Sequence, residues 1–319
     1  MKILVTGGAG FIGSHLTDSL LRRRHKVVCV DDLSLGTLEN IKHQFENKNF
    51  RFIKLDILDA GRLKEVFSKN RFDCVFHLAA NSDIRGSLRA PSVDLEKTFL
   101  TTCNILTCMA HAGVKKIVFT SSSAVYGQSR GLLKENAGQL RPVSFYGAAK
   151  LASEAFISAF CQSHDAQAWI LRLPNVVGQR ATHGVVFDFM NQLRKNHKKL
   201  RILGDGNQKK PYVYVKDLVD AIIFTWRHSS EKLNYFNIGV ASSTTVKRIA
   251  RIVAQEMGYD KVKFIYAGGK TGWIGDTPKY AYDLAKINKL GWSAQMSSDA
   301  AIRHSAKAML ENNFKSKSK

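Results

Sequence analysis

Tyr146 and Lys150 stand four residues apart in Tyr146-Gly147-Ala148-Ala149-Lys150, a spacing that puts both on one face of a helix. An ammonium beside a phenol favours the phenolate and lowers its pKa from about 10. Tyr146 is therefore a candidate general base near neutral pH; a packing tyrosine and a solvated lysine would show the same spacing. Upstream, the hydroxyls of Ser121, Ser122 and Ser123 follow the apolar run 116–120. In an open α/β sheet, ligands bind beyond the carboxyl ends of the strands, so these hydroxyls are placed to meet a ligand there.

A second chemical signal lies at the start of the chain. The first apolar run ends in Gly7-Gly8-Ala9-Gly10-Phe11-Ile12-Gly13, which fits G-x-G-x-x-G and also places glycines at 7, 10 and 13. Such glycines allow a sharp turn, a close approach of backbone to a pyrophosphate, and tight packing of the next helix. The helix N-terminus adds free N–H groups for the phosphates. Gly7, Gly10, Phe11, Ile12 and Gly13 are thus candidate dinucleotide contacts. The second apolar run ends at Asp31, whose carboxylate suits ribose hydroxyls and repels a 2′-phosphate, favouring NAD over NADP. Asp32 is adjacent and can share that role. Asp56, with Ile57 beside it, ends the third run and can reach the adenine; it can equally cap a helix beginning near residue 58.

These residues need elements to hold them. Strand-like runs at 3–6, 27–30, 50–55, 73–78, 116–120 and 168–173 alternate with helical patterns at 11–24, 63–69, 93–112 and 147–164. That alternation predicts βαβ units with right-handed crossovers, an α/β doubly wound parallel sheet of the Rossmann type. After residue 173 the rhythm loosens around one helical stretch, 185–195. The expected organisation is a nucleotide-binding domain over 1–173, with 212–239 packing back on it. A smaller, partly interleaved substrate-binding lobe is expected over 174–211 and 240–319.

The chain has 319 residues, 45% hydrophobic and 23% charged, which excludes a disordered or collagen-like chain. No apolar run approaches the length of a membrane-spanning helix. Five widely spaced cysteines without a Cys-x-x-Cys pair read as free thiols in a reducing, cytoplasmic compartment. Lys plus Arg is 48 and Asp plus Glu is 26, a formal net charge of +22. Such a chain attracts polyanions. Its basic runs, 22–26, 194–201 and 315–319, interleave no aromatics, so they predict a basic surface, with steering of an anionic substrate as a second reading, and no specific nucleic-acid partner. His77 follows a strand in a packing position, and no histidine or cysteine cluster suggests a metal.

Taken together, five motifs resemble the extended short-chain dehydrogenase/reductases, specifically the NAD-dependent sugar epimerase/dehydratase family and most nearly its UDP-glucose 4-epimerase type. They are the segment Val5-Thr6-Gly7-Gly8-Ala9-Gly10-Phe11-Ile12-Gly13-Ser14, then His77-Leu78-Ala79-Ala80, Ser121-Ser122-Ser123-Ala124-Val125-Tyr126-Gly127, Tyr146-Gly147-Ala148-Ala149-Lys150 and Gly204-Asp205-Gly206. The resemblance runs from residue 1 to about residue 292. It implies that Tyr146 takes the proton of a sugar hydroxyl, that Lys150 holds the nicotinamide ribose and tunes Tyr146, and that Ser122 is the catalytic hydroxyl. It also implies that Leu78, Ala79, Ala80, Ser121 and Pro174 line the cofactor, that Ser82 lies near the sugar, and that Asn175 contacts the diphosphate of a nucleotide-sugar substrate. A homodimer packed through 93–112 and 147–164 is expected on the same ground.

Within the family, elimination and decarboxylation use a carboxyl residue next to the catalytic hydroxyl. Here Ser123 and Ala124 stand at those positions, so the resemblance favours reversible oxidation of a carbinol, an epimerisation that recycles NAD. A dehydratase or oxidoreductase on a nucleotide sugar is the alternative, and a non-catalytic NAD-sensing polyanion binder a remoter one. Three positions depart from the family pattern. Lys210 stands where an arginine is usual, Trp273 replaces a second arginine three residues before Asp276, and Thr98 replaces an asparagine. Lys210, Trp273 and Asp276 are the remaining candidate substrate contacts; Trp273 can stack on a base or sugar, or fill core.

Overall fold

A computed structural model describes residues 1–84, 90–128, 131–273 and 275–317. Ile274 of the 272–276 segment and residues 318 and 319 of the basic tail lie outside the described residues. The chain divides into two compact units. The first comprises Met1–Gly127, Gly138–Arg172 and Ile222–Phe236; the second comprises Gln128–Ala137, Leu173–Ala221 and Asn237–Lys319.

The first unit is built on a seven-stranded sheet. Its order is Leu233–Asn237, Gln167–Leu173, Lys116–Ser122, Cys74–His77, Lys2–Thr6, Lys26–Asp31 and Phe50–Lys54. The four pairs from Lys116–Ser122 across to Phe50–Lys54 are parallel. Strand order reverses at Lys2–Thr6, whose Thr6 pairs with Val30 on one side and His77 on the other. That reversal opens the crevice in which such sheets bind ligands. The strands are apolar on both faces because both are covered: Leu4, Val28, Val75, Ile117, Phe119 and Ile170 join one core, and Cys29 with Ala9 and Ile41 joins another. The six expected strands are all present, and Leu233–Asn237 is a seventh.

Helix Phe11–Arg22 follows the first strand and buries every residue from Gly13 to Leu21. Helix Phe145–Ser163 begins at Ser144, whose hydroxyl accepts from Gly147 N at 3.1 Å, an N-cap that satisfies one orphan donor. The run expected as one helix over 93–112 is three pieces. A turn at Pro91–Asp94 leads into a wider π-type segment, Leu95–Leu100, and then α-helix Thr101–Ala112. Such wide turns often mark functional positions.

The second unit holds short pairings. Asn175–Val177 lies parallel to Tyr212–Tyr214, and Lys199–Ile202 parallel to Lys263–Tyr266. Helices Val185–Lys195, Val246–Glu256 and Ser298–Lys317 belong to it as well. Two boundaries differ from the sequence expectation. Leu132–Leu133 pairs with Ala281–Tyr282, which brings 128–137 into the second unit instead of the domain 1–173. Helix Val215–His228 is divided at Ala221 instead of belonging whole to the first unit.

Candidate active site

The glycine turn is shaped by contact. Gly7 has φ +68°, and a Cβ there would stand 2.8 Å from Ala79 N; a Cβ on Gly13 would run into the Gly7 carbonyl oxygen. Only glycine fits either position. Helix Phe11–Arg22 then starts at Gly10 with no side-chain cap and no acidic residue in its first turn. Its N-terminal dipole and N–H groups are therefore left for an anion. Phe11 and Ile12 form that first turn.

Asp31 is buried at the end of the second strand. It accepts from Ala9 N and Leu33 N, both at 2.9 Å. Burial pushes its carboxyl pKa up, partly offset by those backbone bonds. Asp31 thus ties the strand end to the glycine turn. Asp32 shapes the following loop by accepting from Ser34 N at 2.8 Å and Ser34 Oγ at 2.7 Å. Asp56 accepts from Leu58 N at 2.9 Å. It is not the helix cap: Asp59 caps helix Ala60–Ser68 by accepting from Arg62 N. Buried Ile57 follows it, with its carbonyl held by Asn104 Nδ2 at 3.0 Å.

His77 is a structural tie. Its Nδ1 lies 2.7 Å from Thr6 Oγ1 and its Nε2 3.1 Å from Thr102 Oγ1. Burial lowers its pKa to about 3, so the ring is neutral. Thr6 Oγ1 also accepts from Leu78 N and Ala79 N, which fixes the Leu78-Ala79-Ala80 backbone at the crevice. Ser82 is exposed just beyond. Among the described residues no group of three potential metal ligands occurs.

Ser122 ends strand Lys116–Ser122 and caps the single turn Ser123–Tyr126, accepting from Ala124 N at 3.2 Å. The Ser122 hydroxyl also acts on the Tyr146 phenol, lowering its pKa. Lys150 lies one helical turn beyond Tyr146 and is 2% exposed. Its Nζ donates to Thr120 O at 2.7 Å and sits 4.6 Å from the Phe119 ring centroid and 5.9 Å from that of Tyr146. Burial is the leading cause that lowers its pKa to about 7, opposed by the charges of Glu154 and Asp94. Burial likewise pushes Tyr146 up to about 12, opposed by the Ser122 hydrogen bond. Lys150 Nζ is turned to the Thr120 carbonyl, and at the phenol burial outweighs the causes that lower its pKa.

The sequence reading passed over three buried neighbours of this constellation. Glu154 follows Lys150 by one further turn, Arg172 pairs with Glu154 at 2.7 Å, and Asp94 is fully buried beside Asn81. A carboxylate and a guanidinium inside apolar runs were the available signal, since buried charges require partners.

In the second unit, Lys210 Nζ pairs with Asp276 Oδ1 and lies 5.1 Å from the Trp273 ring centroid. Asp276 Oδ2 also accepts from Gly272 N at 3.1 Å. The three residues named from the sequence thus form one cluster, in which Trp273 lies under the lysine and Asp276 balances its charge. Asn175 Nδ2 donates to Tyr280 Oη at 3.1 Å, and Pro174 is buried.

The first unit fits a dinucleotide on these observations: an uncapped helix start, two glycines that admit no Cβ, and an acidic group at the second strand end. Comparisons with known proteins agree. The NAD dependent epimerase/dehydratase family matches residues 3–239. A putative UDP-glucose 4-epimerase of Methanocaldococcus jannaschii is 33% identical over 316 residues, covering 98% of this chain and 99% of that protein. The crystal structure of UDP-glucose 4-epimerase from Thermotoga maritima with UDP-glucose is 32% identical with a TM-score of 0.88, covering 98% and 100%. The Thermus thermophilus UDP-glucose 4-epimerase complex with NAD is 30% identical with a TM-score of 0.86, covering 97% and 99%. By glycine turn, sheet order and overall match, this chain belongs to the NAD-dependent epimerase/dehydratase family.

Proposed function

We propose that the protein is an NAD-dependent epimerase of UDP-sugars, inverting the 4-carbinol of a hexose. The observation that carries this reading is buried Lys150, one turn from Tyr146 with its Nζ on the Thr120 carbonyl two residues before Ser122, together with Ser123-Ala124 following Ser122. Oxidation of a carbinol requires a group that takes its hydroxyl proton, and Tyr146 with Ser122 supplies one. Elimination of water requires an acid-base group for the leaving hydroxyl, and neither Ser123 nor Ala124 offers a carboxyl. Bound NAD supplies a hydride acceptor that can give the hydride back. The chain's own part is proton management: Ser122 Oγ orients the substrate hydroxyl, Tyr146 Oη accepts its proton and later returns it, and Lys150 provides positive charge beside the phenol. Gly7, Gly10, Gly13 and the helix start hold the pyrophosphate, and Asp31 the ribose.

For the second unit we assign Lys210 and Asn175 to the substrate diphosphate and Trp273 to the nucleoside or sugar. Support comes from the cation held over Trp273 and from the similarity to proteins named UDP-glucose 4-epimerases. A homodimer is supported by Leu95, Leu100 and Phe156, 50%, 39% and 52% exposed on two packed helical segments. Five free thiols support a cytoplasmic location, and among the described residues no helix is long and apolar enough to cross a membrane.

The test is incubation of the purified protein with NAD and UDP-glucose, followed by NMR and mass spectrometry. UDP-galactose of unchanged mass is expected. A product lighter by one water, or net conversion of NAD to NADH, would overturn the epimerase reading in favour of a dehydratase or oxidoreductase.

A further inference from the structure

The Ser122 turn is held at both ends by buried charged groups. Glu154 lies on helix Phe145–Ser163, one turn beyond Lys150 and two beyond Tyr146, on the same face. Its Oε1 accepts from Ser121 Oγ at 2.5 Å and from Arg172 Nε at 3.0 Å; its Oε2 accepts from Arg172 Nη2 at 2.7 Å. Arg172 turns its remaining edge to the other end of the turn. Its Nη1 donates to Tyr126 Oη at 2.9 Å, with the guanidinium carbon 4.8 Å from the Tyr126 ring centroid and 5.4 Å from that of Tyr235. Ser121 immediately precedes Ser122, and Tyr126 is the last residue of the turn that Ser122 caps.

All four side chains are buried, with Glu154 2% and Arg172 3% exposed. The turn and the helix also touch through backbone: a Cβ on Gly147 would stand 2.6 Å from Ala124 O. Stability alone gives a poor account of such a pair. Desolvation offsets most of the Coulomb attraction, and an apolar pair of equal volume often serves as well. What a bidentate pair does and an apolar pair cannot is fix direction. Here it fixes the strand end, the turn and the helix relative to one another.

We propose that Glu154 and Arg172 are positioning residues, a buried clamp that sets the Ser122 hydroxyl against the Tyr146 phenol. The proposal rests on the epimerase reading for its kinetic consequence and on the geometry alone for its structural one. The clamp also places a negative charge next to Lys150, which favours the charged lysine.

The experiment uses the full chain with NAD and compares Glu154→Gln and Tyr126→Phe with wild type. Loss of alignment at the reacting groups lowers kcat about 10- to 100-fold, with KM for UDP-glucose little changed. Glu154→Gln also shifts the pH profile of kcat toward lower pH on its basic limb, because Lys150 discharges earlier. A second readout is independent of turnover: amide hydrogen exchange at 122–127 rises in both variants by more than in the flanking strands, and in Tyr126→Phe, which leaves the ion pair whole, the melting temperature holds. Should Glu154→Gln fail to fold, Tyr126→Phe still decides, because it deletes one oxygen and leaves the ion pair whole. Unchanged exchange at 122–127 in a folded variant overturns the clamp. So does a uniform rise over the whole sheet, with kcat falling only as far as the folded fraction. If wild type acts on no UDP-sugar, the functional reading fails, and the exchange pattern still decides the clamp.

Discussion

The Lys150 ammonium donates to the Thr120 carbonyl oxygen at 2.7 Å and lies 5.9 Å from the Tyr146 ring centroid. Thr120 sits two residues before Ser122, so the lysine ties the helix to the catalytic strand end as well as standing near the base. Burial pushes the Tyr146 phenol up to about 12 and the Lys150 ammonium down to about 7. Preparing the base therefore requires the lysine to be charged and brought to bear on the phenol.

The poised lysine gives a stability prediction. Its folded pKa lies below the unfolded value, so above pH 7 the unfolded chain binds the extra proton and stability rises with pH. Below pH 7 the folded state buries a charge. Replacing it, Lys150→Met, should therefore stabilise the NAD-free protein most at low pH. That advantage should shrink by roughly 1–2 kcal/mol between pH 7 and pH 8.5. Urea unfolding of both proteins at pH 6, 7 and 8.5 checks this; a pH-independent difference would contradict it.

Tyr146→Phe keeps the ring and removes the proton acceptor. The expected result is a loss of kcat of about 10²–10⁴-fold, with NAD affinity retained because the glycine turn and Asp31 are untouched. Steady-state kinetics and NAD titration by fluorescence check it. A variant with near-normal turnover would remove Tyr146 from the role of base.

Much of this site is legible in the sequence because it depends on local chemistry. The glycines at 7, 10 and 13 answer to contacts within one turn, and Tyr146 and Lys150 share a face by helical geometry. What escapes the sequence is long-range. Glu154 and Arg172 are 18 residues apart, and Arg172 reaches Tyr126 46 residues back, so nothing in spacing links them. The state of the phenol escapes for a related reason: the sign of its shift turns on desolvation against charge, and desolvation is a property of the packed whole. The pairing of Leu132–Leu133 with Ala281–Tyr282 is equally non-local.

The glycine turn predicts a graded effect. Gly13→Ala drives a methyl into the Gly7 carbonyl, and Gly7→Ala combines a left-handed φ with a contact at 2.8 Å to Ala79 N. Strain of this kind costs about 1–3 kcal/mol, and both contacts lie in the turn assigned to the pyrophosphate. NAD affinity should fall sharply in both variants, more than the melting temperature does. Normal NAD binding by Gly13→Ala would move the cofactor away from this turn.

The exposed face of the two packed helical segments predicts association. Phe99 and Phe156 meet edge to face at 4.8 Å, with Leu95 and Leu100 nearby in sequence. Phe156→Glu places a charge on that face and should convert a dimeric sedimentation profile to a monomeric one with the fold intact. A monomeric wild-type profile would reject the dimer outright.

Lys210 and Asp276 allow stability and substrate binding to be separated. Lys210 is 8% exposed and Asp276 3%, so Asp276→Leu leaves an ammonium buried without its anion. That should cost about 3–5 kcal/mol, and adding Lys210→Met to it should restore most of the loss because no charge then remains buried. Urea unfolding of the two single variants and the double variant measures this. The double variant, folded but lacking the cation over Trp273, is then the proper protein in which to ask about the diphosphate. If Lys210 contacts it, KM for UDP-glucose rises while kcat at saturation changes little. An unaltered KM would make the Lys210–Asp276–Trp273 cluster a structural one and leave the diphosphate to Asn175.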